Sequence, residues 1–297
     1  MIGPLVASFW HGLVDALAHA RLSLVGVALA LHFTGLLVTG ERWRVVIAAL
    51  GGRVSLWRAT LINLAGIFVR NTTPTTGLGG DASRIALLNA DGVGFAQAAA
   101  AFAYVRLAEA PALAAIALLS TPVALSVASR SRPVAAAVAL IAVLAMALAW
   151  AKRGPIRQAL IEAWRRSASV RIGWRPIGLA IVFATLAQVE TIARQMVIAA
   201  AFALPLTIQQ AAAVTVMGIA GGFVPTVGSV GAIDAGLVAG LVVCGATGGQ
   251  AVAITVVERA ISYGLTTAVG GGALAYLGGR RLLRAISERR TNTATAG

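Results

Sequence analysis

Pro74-Thr75-Thr76-Gly77-Leu78-Gly79-Gly80-Asp81 follows the apolar run Leu64-Ala65-Gly66-Ile67, and the chain says nearly the same thing again. The second copy reads Val216-Met217-Gly218-Ile219, then Pro225-Thr226-Val227-Gly228, and after a two-residue slip Gly231 and Asp234. Arg106 follows the first copy and Arg259 the second, 153 positions later. In each copy Pro and Gly break a hydrophobic helix, Pro by removing a donor and Gly by loosening the backbone. Paired interruptions of this kind, in the two halves of a membrane chain, point to a binding site between internal repeats.

Composition places the chain in a bilayer. Its 297 residues are 59% hydrophobic and 11% charged, with mean hydropathy +0.87. A soluble domain is about a quarter charged. The net charge of +14 would suggest nucleic acid in a soluble chain, but here the basic residues fall in blocks. Arg42, Trp43, Arg44, Arg53 and Arg58 follow the first span. Lys152, Arg153, Arg157, Arg165, Arg166, Arg171 and Arg175 form a second block, and Arg280, Arg281, Arg284, Arg289 and Arg290 a third. Such juxtamembrane clusters mark the cytoplasmic side and meet anionic lipid, so lipid rather than nucleic acid is the expected partner. The single cysteine, Cys244, excludes an internal disulfide and a cysteine-based metal site. Residues 1–20 lack a signal-peptide pattern and read as an interfacial helix or an extra span.

Segments 22–40, 95–119, 133–151, 177–201 and 250–278 are long enough to cross a bilayer, which takes about 20 apolar residues. Regions 56–91 and 209–247 differ. Each starts with a helix too short to cross, meets the Pro/Gly break, and continues into a second short helix. Both read as re-entrant hairpins, whose non-helical tips are tolerated only in protein or in a wet cavity. With the three basic blocks inside, only the 120–132 loop lies outside, and three full spans separate the hairpins. The expected fold is therefore an all-α polytopic membrane protein with two inverted repeats, each span, re-entrant hairpin, span. Repeat one is 22–119, the linking span 133–151, the cytoplasmic basic loop 152–176 and repeat two 177–279. The 285–297 tail reads as disordered, and the C-terminus as cytoplasmic.

Ionisable residues within the apolar segments are few: Asp81, Arg84, Arg106, Glu109, Glu190, Arg194, Asp234, Glu258 and Arg259. A charge in hydrocarbon costs at least about 2.5–3.5 kcal/mol on insertion scales, so each needs a partner or water. Arg106 and Glu109 are three apart; Glu190 and Arg194 are four apart, with the acid in the better, N-terminal place. Two readings fit these pairs: structural ties between spans, or arginines that reach the hairpin tips and hold a phosphate through a bidentate fork. At the tips, Arg70, Asn71, Thr72, Thr73, Thr75 and Thr76 put polar groups around Pro74, while Gly77, Gly79 and Gly80 open the backbone to a ligand; Pro225, Thr226 and Gly228 repeat the pattern. Helices starting near Asp81 and Ala232 aim their positive ends at the tips. Asp81 and Asp234 read as helix caps, with gating as the other role.

His11, His19 and His32 do not pair with acids at metal spacing, and no nucleotide or hydrolase motif occurs, so the sequence asks for no cofactor. Runs such as Gly270-Gly271-Gly272 suit close helix packing.

Arg42-Trp43 after the first span, Asn71 to Asp81 with Arg84, then Arg106, then Pro225-Thr226-x-Gly228 to Asp234 and Arg259, resemble the transmembrane region of bacterial lysylphosphatidylglycerol synthases over residues 22–280. Stand-alone relatives of that region include flippase-like membrane proteins. The resemblance implies handling of a phospholipid or polyprenyl-linked lipid in the cytoplasmic membrane. Three departures stand out. Nothing here resembles the soluble aminoacyl-transfer domain, Thr76 replaces a basic residue common in the family, and the second copy carries Asp234 where a glutamate is usual.

The reading that follows is a lipid translocase, not an enzyme. Arg84, Arg106 and Arg259 would hold the head-group phosphate, and Glu109, Glu190, Arg194 and Glu258 would pair or gate. Two rivals stand beside it: a lipid-phosphate transferase or hydrolase using Asp81 or Asp234, and a non-transporting partner of a lipid-modifying enzyme that docks through 152–175.

Overall fold

A computed structural model describes residues 16–73, 78–130, 172–222 and 231–278. The proposed linking span, most of the basic loop, the first 15 residues, the tail, and the tip residues Pro74, Thr75, Thr76, Gly77, Pro225, Thr226 and Gly228 lie outside the described residues.

The described residues are helical, in an order that repeats. Helix α1 (Leu22–Ala49) is followed by the short α2 (Leu56–Thr72) and α3 (Leu78–Ala90), then the long α4 (Phe95–Arg130). The second half gives α5 (Trp174–Ala201), the short α6 (Ile208–Gly221) and α7 (Ala232–Val243), then α8 (Gly248–Gly278), which contains a π-helical stretch at Ala260–Leu265. The four long helices are each apolar and long enough to cross a membrane, and the chain is a multi-pass membrane protein. At 1.5 Å per residue the short helices span about 18–26 Å, less than the ~30 Å hydrocarbon layer.

The turns explain where the helices start. Ser55 caps α2 by accepting the Arg58 N–H at 3.3 Å. Thr207 and Thr247 head reciprocal capping boxes with Gln210 and Gln250. Gly92 and Gly245, 153 positions apart, take left-handed φ values of 89° and 101° beyond α3 and α7. Side-chain ties repeat as well. Gln97 Nε2 donates to the Leu50 carbonyl at 2.9 Å, and Gln250 Nε2 to the Phe202 carbonyl at 2.7 Å.

Helices α1 and α5 make the most extensive interhelical contact. They run antiparallel: the Arg21 N–H, just before α1, bonds the carbonyl of Ala201 at the end of α5, 3.0 Å away. Two apolar cores follow. One joins α2 and α3 to the end of α1 (Trp43, Val46, Ile47), the first half of α4, Ala180 of α5 and Leu277 of α8. The other joins α6 and α7 to Ala28 of α1, the end of α5 and the first half of α8. The two short-helix pairs thus lie at opposite ends of the α1/α5 pair. Close packing rests on small residues: a Cβ at Gly270 would meet the Leu64 carbonyl at 2.4 Å, and one at Gly236 the Met217 carbonyl at 2.3 Å.

Two expectations need correction. The first span does not end at residue 40. Helix α1 runs on to Ala49 because residues 41–49 keep an apolar face, and Arg42 and Trp43 are each 5% exposed, inside the protein rather than in a juxtamembrane cluster. Nor is 120–132 a loop up to Arg130. Helix α4 continues through Pro111 and Pro122. Ser120 and Thr121 donate to the Ala117 carbonyl, and Ser126 to that of Val123, so hydroxyls engage helix carbonyls beside Pro122.

Candidate anion-binding site

A cavity of about 320 Å³ opens between the middle of α1, the middle of α5, and helices α2, α3 and α4. Among the described residues five arginines line it, Arg42, Arg70, Arg84, Arg106 and Arg194, with Glu109 and Glu190 the carboxylates in the lining. Its size is at the lower end for small-ligand pockets.

Glycines make room for these side chains. A Cβ at Gly66 would fall 2.6 Å from Arg84, which crosses α2 there, and one at Gly35 would fall 2.6 Å from Glu190. Arg84 is 4% exposed; its Nε donates to Asn63 Oδ1 at 3.1 Å and its Nη1 to Asp81 Oδ1 at 2.6 Å. Asp81 also accepts from Arg106 at 3.1 Å, and Arg106 reaches Glu109 at 2.9 Å. Glu109 in turn binds Arg42 at 2.6 Å. A continuous ladder therefore runs from α3 through α4 to α1. Across the cavity, Arg194 bonds Glu190 at 2.9 Å and both carboxylate oxygens of Glu258. Burial makes the Arg84–Asp81, Arg42–Glu109 and Arg194–Glu258 pairs expensive to break, whereas the Arg106 pairs are half exposed.

The predicted helical pairs Arg106–Glu109 and Glu190–Arg194 both form. The Asp–Arg pairing is duplicated: Asp81 meets Arg106, and Asp234 meets Arg259 at 2.7 Å. That second contact is Coulombic rather than a directed hydrogen bond, since Asp234 Oδ1 has no aligned donor. Both acids sit in the first turn of their helices, not at the cap itself. From there Asp234 accepts the Gly231 N–H at 2.8 Å.

Other expected site residues fall elsewhere. Arg259 does not line the cavity; it lies 4.6 Å over the Tyr263 ring. Asn71 is committed to α8, donating to Thr267 Oγ1 at 2.8 Å while its carbonyl accepts from Tyr263 at 3.0 Å. Gly80 serves helix contact: a Cβ there would stand 2.5 Å from the Gly66 carbonyl and 2.7 Å from Arg70 Cβ. Gly79 opens α3 beside it, partly buried.

Sequence reasoning placed Arg70 among the polar groups of the first tip, and missed Arg42 and His32 as lining residues. One signal was present for the first: Arg42 and Arg194 are 152 positions apart, the offset that relates the two breaks. His32 bonds Thr266 Oγ1 at 2.6 Å, tying α1 to α8 just after its π segment. An arginine-rich cavity of this kind has the chemistry to hold a phosphate.

No curated protein and no solved structure matches the chain. The family described as the lysylphosphatidylglycerol synthase TM region matches residues 4–270, and the chain belongs to that family.

Proposed function

We propose that this protein moves an anionic, phosphate-bearing lipid between the leaflets of the bacterial cytoplasmic membrane. The observation that carries the reading is the cavity itself: five arginines face one space between membrane-spanning helices. Charges there are costly unless a ligand, water or partner compensates them. Membership of a family named for a phospholipid synthase supports lipid as the cargo.

On this reading the two halves are inverted repeats, and α2–α3 and α6–α7 are re-entrant hairpins entering from opposite faces. The antiparallel α1/α5 pair, the short helices and their location at opposite ends support it. Arg84 and Arg106 hold the phosphate, while Arg42, Glu109, Glu190, Arg194 and Glu258 fix the walls. Acyl chains remain in the bilayer as the head group crosses. The C-terminus is cytoplasmic, as the basic blocks require.

The test is leaflet exchange in proteoliposomes, using a fluorescent phosphatidylglycerol and a membrane-impermeant quencher. Wild-type protein should accelerate exchange, and Arg84→Gln/Arg106→Gln should return it to the protein-free rate. A double variant as fast as wild type would sink the proposal.

A further inference from the structure

We propose that Arg70 is the residue that takes the lipid's charge, and that the site is matched to a single phosphate carrying one negative charge. This rests on the reading above and deepens it.

The argument is an account of charge. The chain has ten acidic residues, of which Asp15, Glu162 and Glu288 lie outside the described residues. Each of the other seven meets an arginine. Glu41 meets Arg44, Asp91 meets Arg58 and Asp234 meets Arg259, all away from the cavity. Asp81, Glu109, Glu190 and Glu258 are shared among Arg42, Arg84, Arg106 and Arg194. Four acids thus answer four of the five lining arginines. Arg70 is left over. Among the described residues its guanidinium makes one contact, Nε to Asn71 Oδ1 at a long 3.4 Å, and no ion pair. The undescribed tips hide no answer, because 74–77 and 223–230 contain no Asp or Glu.

Arg70 is also held where a ligand would arrive. It lies in the last turn of α2, lines the cavity, and remains accessible to solvent. Its stem packs against Gly80, where a Cβ would come within 2.7 Å of its own. The four paired arginines exchange one bond for another when a phosphate binds, whereas Arg70, which Asp81 and Glu109 act on only from a distance, gains a direct ion pair. A phosphodiester head group brings that one charge. A phosphomonoester brings up to two near neutral pH, and the second finds no unpaired arginine among the described lining residues.

Binding is measured without transport, by the shift in thermal unfolding of purified protein titrated with probes in detergent. The probes are dihexanoyl phosphatidylglycerol, dihexanoyl phosphatidic acid, dihexanoyl phosphatidylcholine and inorganic phosphate. Phosphatidylglycerol should bind, phosphatidic acid should bind no tighter, and phosphatidylcholine, whose choline cation offsets its own phosphate charge, should bind at least about tenfold more weakly. Inorganic phosphate should compete only weakly; if it matches the lipid, the site is one for free phosphate and the lipid assignment falls. Arg70→Gln should weaken phosphatidylglycerol about ten- to a hundredfold, with Arg70→Lys recovering part of it. Arg53→Gln, which removes the same charge from an exposed position, should change nothing. Unchanged binding by Arg70→Gln, or an equal loss in Arg53→Gln, overturns the proposal. Tighter binding of phosphatidic acid overturns the single-charge match. If wild type binds none of the lipids, the inference falls together with the site. If Arg70-dependent binding holds but exchange is absent, transport fails and this inference stands.

Discussion

At Gly66 the α2–α3 pair lays the Arg84 side chain across the helix; at Gly218, 152 positions on, the α6–α7 pair lays Leu237 there. The offset continues. Arg70 faces the cavity from the end of α2, and its counterpart is Gly222, which has no side chain to offer. Both halves keep the tie between the first turn of the second short helix and the following long helix, Asp81 to Arg106 and Asp234 to Arg259. Even there the exposure is reversed. In the first half the arginine is open (45%) and the acid covered (13%); in the second the arginine is 19% exposed and the acid 31%. Among the described residues, a repeated order of helices therefore carries a cavity that is not repeated. The cavity is lined mainly by first-half residues, with α5 of the second half adding Glu190 and Arg194, and at the position that corresponds to Arg84 the second half has the apolar Leu237.

The largest test of that difference concerns the long-helix pairs. Arg194 is the one arginine answering both Glu190 and Glu258, and the Arg194–Glu258 pair is about 5% exposed on each side. Arg194→Ala should cost about 3–5 kcal/mol, the usual result of stranding a buried charge. Its counterpart Arg42 leaves Glu109 still bonded to Arg106, so Arg42→Ala should cost less than half as much. Thermal unfolding in detergent measures both, and equal losses would remove the asymmetry at this layer.

Next in size is Leu237→Arg, which writes the first half's residue into the second. Leu237 is 5% exposed, and the only carboxylate of its own helix is already engaged by Arg259. A cation there should destabilise the protein by about 2.5–3.5 kcal/mol. An unfolding temperature equal to wild type would mean that the second half holds water or a counter-charge after all.

A smaller difference separates the duplicated arginines. Arg259→Gln strips Asp234 of its arginine and removes the contact with Tyr263, and should cost about 1–2 kcal/mol. Arg106→Gln should cost under about 1 kcal/mol, because the residue is half exposed and Asp81 retains Arg84. The order should invert for leaflet exchange, with only Arg106→Gln slowing it strongly. Matching losses of exchange would place Arg259 in the site, as the sequence alone suggested.

The repeated order of helices was legible because Gly, Pro and charge recur at fixed offsets in the two halves. The pairs Arg106–Glu109 and Glu190–Arg194 were legible for a related reason: each lies within one helix, at three- and four-residue spacing. Pairs between helices were not, since Arg42–Glu109 and Arg194–Glu258 span 67 and 64 positions. Arg42 was misplaced because a basic residue beside Trp43 and Arg44 looks the same at the end of a span as inside a longer helix. Only burial separates the two, and burial depends on α2 and α4 packing there. Arg259 stands outside the cavity lining for the opposite reason. The repeat made it the equal of Arg106, and equality of position does not carry equality of surroundings.

Where surroundings are equal, mutations should be equal too. Gln97 and Gln250 each start a long helix and reach back to the last carbonyls of the helix pair's partner, Leu50 and Phe202. Neither bond touches the cavity. Gln97→Met and Gln250→Met should each cost about 0.5–1.5 kcal/mol, the net worth of one hydrogen bond. The two sites belong to separate cores at opposite ends of α1 and α5. Their costs should therefore add to within about 0.3–0.5 kcal/mol in the double variant, with leaflet exchange unchanged. A difference between the singles larger than that would show that the halves diverge in scaffold as well as in site. Strong non-additivity would show instead that the two cores unfold as one, with α1 and α5 carrying the coupling between them.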